Sequence, residues 1–187
     1  MIVVASTRPG RVGPSVARWF KGRAEQHGAF ELDVVELAEL GLPFLDEPNH
    51  PRLRKYVQQH TWDWSARVTA AAAFVFVMPE YNHGINAPLK NALDFLYVEW
   101  AYKPVGFVSY GGIAGGARAA EMAREVAAGL RMMALLEAVH VTFVGRRLDE
   151  SGEFRGDASL ETAAAGMLDA LVRVEAALRP LRAPAGG

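Results

Sequence analysis

The chain has 187 residues, with 20 Lys+Arg against 21 Asp+Glu, a formal net charge of −1, and no cysteine. This length suits one α/β domain over residues 1–187, long enough to bury a core without a disulfide or structural metal. The missing thiols exclude cysteine nucleophiles, Cys-ligated zinc, iron–sulfur clusters and disulfides, and the charge balance gives no basic field for nucleic acid. No apolar run approaches the roughly 20 residues of a membrane helix. Arg8 follows the first apolar residues too closely for a signal peptide. The expectation is a soluble, cytoplasmic protein with no nucleic-acid and no membrane partner.

In chain order, residues 1–5 read as a first buried strand. Pro14 then opens a helix in which Val16, Trp19, Phe20 and Ala24 recur at helical spacing. Residues 32–37 form a second strand, followed by a proline-bearing loop over 43–51. A helix is expected over 56–72 and a third strand over 73–78. Asn86 offers an N-cap and Pro88 an opening turn for a helix carried by Leu89, Ala92, Leu93 and Leu96. Residues 105–110 read as a fourth strand, the Ala- and Met-rich stretch 116–136 as a helix, and 139–144 as a weaker fifth strand. A charged loop over 146–158 leads to a last amphipathic helix marked by Leu160, Ala164, Met167, Leu171 and Leu178. Residues 180–187 read as a frayed tail. Strands rich in Val and Phe, alternating with helices, predict an α/β fold with a five-stranded parallel sheet covered on both faces. The flavodoxin-like strand order 2-1-3-4-5 suits it.

In such a sheet, ligands bind beyond the carboxyl ends of the strands, where the strand order reverses. After strand one comes Ser6-Thr7-Arg8-Pro9-Gly10-Arg11-Val12-Gly13-Pro14-Ser15, running into a helix. Free N–H groups and the positive end of the helix dipole favour an anion there, and Arg8 and Arg11 can add charge-assisted bonds to a phosphate. The same residues also suit a Gly/Pro turn with solvated arginines. The string is neither G-x-x-x-x-G-K-[ST] nor G-x-G-x-x-G, which disfavours a nucleoside triphosphatase and a dinucleotide Rossmann site. After strand three comes Pro79-Glu80-Tyr81-Asn82-His83-Gly84, polar and aromatic enough to lay amides along a flat heterocycle. Taken singly, Glu80 could instead cap the next helix and His83 could be solvated. After strand four comes Ser109-Tyr110-Gly111-Gly112, where paired glycines let backbone approach a ligand, or form a flexible loop.

Together these strings, with Ala87-Pro88-Leu89-Lys90-Asn91-Ala92-Leu93-Asp94, resemble the NADPH-dependent FMN reductases, a group of flavin, quinone and azo-dye reductases. The resemblance runs from residue 1 to about 145. It implies FMN with its phosphate held by Ser6, Arg8, Arg11 and the backbone around Val12, Gly13 and Ser15. It implies ring contacts from Pro79, Glu80, Tyr81, Asn82 and His83, with Ser109, Tyr110, Gly111 and Gly112 at the other edge. It implies ping-pong transfer from NADPH or NADH to a small-molecule acceptor, and a homodimer or homotetramer. No catalytic side chain and no metal site is assigned. Ala5 stands where the family usually has Gly. The alternative is a flavodoxin-type FMN carrier that does not itself oxidise nicotinamide. Such carriers are usually strongly acidic, and this chain is nearly neutral.

Overall fold

The computed structural model describes residues 1–182. Five parallel strands are ordered β2-β1-β3-β4-β5. They are β1 (Ile2–Val4), β2 (Val34–Glu36), β3 (Phe74–Pro79), β4 (Pro104–Tyr110) and β5 (Met133–Val141). The expected sheet and its order are therefore present. Five helices of eight or more residues cover it: α1 (Gly13–His27), α3 (Gln59–Ala70), α4 (Ala87–Asp94), α5 (Ala117–Gly129) and α6 (Ala158–Leu178). A four-residue helix, α2 (Leu37–Leu40), turns the chain away from β2.

The period-two alternation of the central strands divides the core into two layers. Val3, Phe74, Phe76 and Phe107 face α3, α4 and α5. Ile2, Val4, Val75, Val77 and Val108 face α1 and α6. Every residue of β3 and β4 is buried. That explains why both read as unbroken apolar runs in the sequence.

The carboxyl half of the chain departs from the sequence expectation. The helix expected over 116–136 ends at Gly129, and the strand expected over 139–144 starts at Met133 and stops at Val141. Arg131 takes a positive φ of 59° and breaks the helix. Met133 N–H then donates to the Lys103 carbonyl at 3.0 Å, which starts β5 beside β4. A bulge opposite Val105–Phe107 shifts the register along β5. The strand lies at the sheet edge, so Met133 and Leu136 stay exposed and the buried-strand pattern is diluted.

Smaller differences lie at element ends. The helix expected over 56–72 is confined to Gln59–Ala70, and the pattern that reached Leu96 leaves the helix at Asp94. Phe95 and Leu96 are buried all the same. The charged loop over 146–158 starts inside a 3-10 turn, Val144–Arg147, and packs on α1, where Gly156 lies against the Trp19 indole. The tail expected to fray over 180–187 begins inside a 3-10 turn, Arg179–Arg182, with Arg182 bonded to Glu175 and to the Tyr102 carbonyl. Residues 183–187 lie outside the described residues.

One buried carboxylate ties the long β2–α3 connection to the rest. Glu99 Oε1 accepts from Tyr56 Oη at 3.0 Å and from Ser65 Oγ at 2.7 Å, and Arg54 Nε lies 3.2 Å away. Burial and the Glu99 charge push the Tyr56 phenol pKa up, so Tyr56 stays a donor. Removing the carboxylate would leave the Ser65 hydroxyl without its acceptor and the Tyr56 hydroxyl with only the longer bond to the Pro51 carbonyl at 3.4 Å. Glu99→Ala is expected to lower unfolding free energy by about 2–4 kcal/mol. Glu99→Gln, whose amide oxygen still accepts, should lose clearly less. Urea unfolding of the three proteins checks this, and equal losses for Ala and Gln would overturn it.

Candidate functional site

The loops after β1, β3, β4 and β5 share the carboxyl edge of the sheet. The β1 loop starts with a turn closed by Arg11 N–H donating to the Arg8 carbonyl at 3.1 Å. Pro9 and Gly10 occupy its centre, and Gly10 has φ +69°, as a type II turn requires. The chain then enters α1 with Pro14 in the opening turn. Among the described residues, no protein acceptor takes the backbone N–H groups of Thr7, Arg8, Gly10, Val12 or Gly13. These donors lie in the loop that enters the α1 N-terminus, a setting that suits an anion.

The side chains of this loop divide into two groups. Arg8 is exposed and has no carboxylate partner among the described residues. Arg11 instead forms an ion pair with Glu36, Nη2 to Oε2 2.7 Å, at the end of β2. Ser15 is buried. Its Oγ donates to Glu153 Oε2 at 3.0 Å and accepts from the Phe154 N–H at 2.6 Å. It pins the 149–157 loop and does not face the crevice. Ser6 is buried too, with its Oγ 3.0 Å from the Tyr81 hydroxyl. Tyr81 thus spans from the β3 loop to the β1 loop.

Tyr110, the last residue of β4, points its hydroxyl under the same loop. A Cβ on Gly13 would sit 2.8 Å from that oxygen, so only glycine allows the approach. Among the described residues the buried hydroxyl has no hydrogen-bond partner within bonding geometry, with Ser6 its polar neighbour. Burial pushes its pKa up, so it stays protonated.

After β3 the chain makes a two-residue turn. Tyr81 and Gly84 exchange N–H···O bonds of 3.2 and 3.0 Å across it, and Asn82 and His83 have φ values of 49° and 69°. Two successive left-handed residues match a type I′ turn, and Asn and His tolerate that conformation better than most. The N–H groups of Asn82 and His83 have no acceptor among the described residues. Asn86 holds this segment against β1, its Nδ2 donating to the Ala5 carbonyl at 2.7 Å. Asn86 occupies the N-cap position of α4, but its side chain makes no capping bond. Glu80 does cap a helix, though α5 and not the next one. Its Oε2 accepts from Arg118 N–H at 3.2 Å and its Oε1 from Arg118 Nη1 at 2.7 Å.

The β4 loop closes the cradle. Gly111 N–H donates to Val141, and Gly112 accepts from Gly115 at 3.1 Å and Phe143 at 2.9 Å. A Cβ on Gly112 would meet nothing within 4 Å, and the Gly112 N–H has no acceptor among the described residues. Ser109 is fully buried and supports the loop from below. Its Oγ donates to the Gly115 carbonyl at 2.8 Å and lies 2.7 Å from His140 Nδ1. With its proton on the carbonyl, that hydroxyl accepts from the imidazole. Pro79 is buried in β3, opposite Tyr110.

The expected residues therefore meet at one edge, but they do not share one task. Arg8, Asn82, His83 and Gly112 are exposed, and the Val12 and Gly13 N–H groups have no acceptor among the described residues. Arg11, Ser15, Glu80 and Ser109 hold loops in place. Sequence reasoning missed Thr7, which borders a cleft of about 360 Å³ between the β1 loop, Phe44 and the start of α4. Asn91 fixes the wall of that cleft, donating to the Pro43 carbonyl and accepting from Leu45 N–H. It also missed the Phe143–Val144 backing of the glycine loop. The signal available was positional, because that segment too follows the carboxyl end of a strand.

The sequence pattern that describes the NADPH-dependent FMN reductases matches residues 1–145. The chain belongs to that family. It is 40% identical over 134 residues to an NAD(P)H-dependent FMN reductase of Schizosaccharomyces pombe. That alignment covers 71% of this chain and 66% of the relative, just under two thirds of the relative's length. An NAD(P)H-dependent FMN reductase of Saccharomyces cerevisiae is 36% identical, with 70% of this chain and 74% of the relative covered. Among solved structures, the flavoenzyme NAD(P)H:(acceptor) oxidoreductase FerB from Paracoccus denitrificans superposes with a TM-score of 0.73 at 18% identity. That match spans 94% of this chain and 96% of FerB, and it shows the shared fold.

The glycines separate scaffold from site. Gly116 has φ +83°, and a Cβ there would lie 2.7 Å from Tyr110 N. Gly116→Ala is expected to cost about 2–4 kcal/mol through left-handed strain and backbone collision. Gly112→Ala should change stability by no more than about 1 kcal/mol in either direction. Thermal unfolding distinguishes them, and similar losses at both positions would contradict the open face at Gly112.

Proposed function

We propose that this protein is an FMN-dependent oxidoreductase that passes electrons from NADPH or NADH to a small acceptor such as a flavin, quinone or azo compound. The observation that carries this reading is the set of backbone N–H groups on the β1, β3 and β4 loops that have no acceptor among the described residues, all at the carboxyl edge of the sheet. The β1 set, with Arg8, fits a phosphate dianion. The amides of Asn82, His83 and Gly112 fit the carbonyl and nitrogen acceptors along a flat flavin edge. Bound FMN would supply the two-electron chemistry, and the protein would supply binding, orientation and electrostatics.

The residues then have distinct duties. Thr7 to Gly13 bind the phosphate through backbone, with Arg8 adding charge. Tyr81, anchored on Ser6, orients the segment between phosphate and ring. Gly111 and Gly112 keep one approach free of side chains, so that donor and acceptor use the same face in turn, as a ping-pong mechanism requires. Glu80 and Ser109 act as positioning residues through α5 and Gly115. A homodimer or homotetramer is part of this reading, supported by exposed apolar side chains at Phe44, Val57 and Trp62. A cytoplasmic location fits a chain without cysteine. Among the described residues no helix is long and apolar enough to cross a membrane.

Purified protein should be yellow or take up added FMN, and anaerobic NADPH or NADH should bleach the bound flavin. Colourless protein that binds no FMN would sink the reading. Holoprotein that only a reduced protein partner can bleach would be a carrier instead. Arg8→Ala should weaken FMN roughly ten- to hundredfold, the value of a charge-assisted hydrogen bond. Riboflavin, which lacks the phosphate, should bind as before. Equal loss for both ligands would remove Arg8 from phosphate binding.

A further inference from the structure

We propose that Arg146, held on the ring of Phe143, is the phosphate anchor for the nicotinamide donor. The inference rests on the flavin lying over Gly111 and Gly112.

Three features place Arg146 beside the glycine loop. Phe143 N–H donates to the Gly112 carbonyl at 2.9 Å, and Val144 N–H donates to the Gly111 carbonyl at 3.1 Å. The segment that carries Arg146 is thus stitched to the glycine loop by two backbone bonds. Phe143 adopts a left-handed φ of 48°, unusual for an aromatic residue, and remains 40% exposed. Arg146 N–H closes the turn on the Phe143 carbonyl at 2.8 Å, and its guanidinium carbon lies 4.6 Å from the Phe143 ring centroid. This stacking limits the motion of a long side chain, so less entropy is lost when it meets an anion.

Charge pairing sets Arg146 apart from its neighbours. Arg147 pairs with Asp157, Arg155 with Asp149 and Arg118 with Glu80. Those pairs close loops. Arg146 is exposed and has no carboxylate partner among the described residues. It resembles Arg8 in this respect, but Arg8 lies on the β1 loop, at the phosphate end of the crevice. Arg146 lies after β5, on the turn whose Phe143 and Val144 amides are bonded to the glycine pair. Ile113, next in the chain after Gly112, is 74% exposed and adds apolar surface to the glycine loop. An unpaired, planar guanidinium beside that loop fits a phosphate of a dinucleotide better than a neutral acceptor.

The donor carries two kinds of phosphate, the pyrophosphate of either nucleotide and the 2′-phosphate of NADPH. Titrations of NADP⁺ and NAD⁺ into FMN-loaded protein distinguish them, read by perturbation of flavin absorbance and by calorimetry. Arg146→Ala should weaken NADP⁺ roughly tenfold or more and raise the KM for NADPH while leaving kcat nearly unchanged. A loss confined to NADP⁺ assigns the 2′-phosphate, and an equal loss for both assigns the pyrophosphate. Arg146→Lys should recover part of the loss, because charge remains without the planar fork. Phe143→Ala should show a smaller loss than Arg146→Ala, since it frees the guanidinium without removing it. Unchanged affinity for both dinucleotides in a protein that still binds FMN would overturn this inference alone. A parallel drop in FMN affinity would overturn it too, placing Arg146 on the flavin. Wild-type protein that takes up no FMN would fail the underlying reading as well.

Discussion

The pairing of β3 with β1 on one side and β4 on the other fixes everything above the sheet. Val77 sits opposite both Val4 and Val108, and Pro79 opposite Tyr110. A one-residue slip in either ladder would exchange the faces of Phe76 and Val77 and destroy both core layers. The apolar alternation that keeps the register also brings three loops to the same height. The crevice is therefore a consequence of core packing, and no loop has to find the others independently.

Backbone donors are what those loops supply. A parallel strand that ends leaves its next amides unpaired, and burying them alone would cost free energy. Here they stay at an edge, shaped by turns that need particular residues: Pro9-Gly10 in the β1 loop and Asn82-His83 in the β3 loop. Side chains with more obvious ligand chemistry are mostly committed elsewhere. Arg11 neutralises Glu36, Glu80 caps α5, Ser15 pins the loop before α6, and Ser109 braces Gly115. Each such bond restrains a loop that would otherwise be free to move, which keeps the backbone donors aimed. Pre-organisation of this kind lowers the ordering cost when a ligand binds.

The sheet, its order and the identity of the loops were legible because β1, β3 and β4 are buried on both faces and read as plain apolar runs. β5 is harder to read for the opposite reason. Edge position leaves Met133 and Leu136 in solvent and lets Glu137 and His140 enter the strand, so the run starts late to the eye. The region before it, rich in Ala and Met, has strong helix propensity, and only the turn at Arg131 ends the helix. In the site, residue types were legible but their partners were not. Nothing near Arg11 in sequence announces Glu36, 25 residues away, and nothing near Ser109 announces His140, 31 residues away. Long-range pairing decides whether a polar side chain faces a ligand or a neighbour.

The fold itself persists through wide sequence divergence. FerB shares only 18% of its residues with this chain, yet the folds agree at a TM-score of 0.73. Amide donors survive almost any substitution that preserves the turn and the strand register, because every residue except proline carries one. Selection on such a site acts on glycine, proline and left-handed positions more than on side-chain chemistry. Side chains at the rim carry no such constraint. Phe143 and Arg146 occupy that position here: fastened to the cradle through backbone, with side chains turned outward and free to suit a particular substrate.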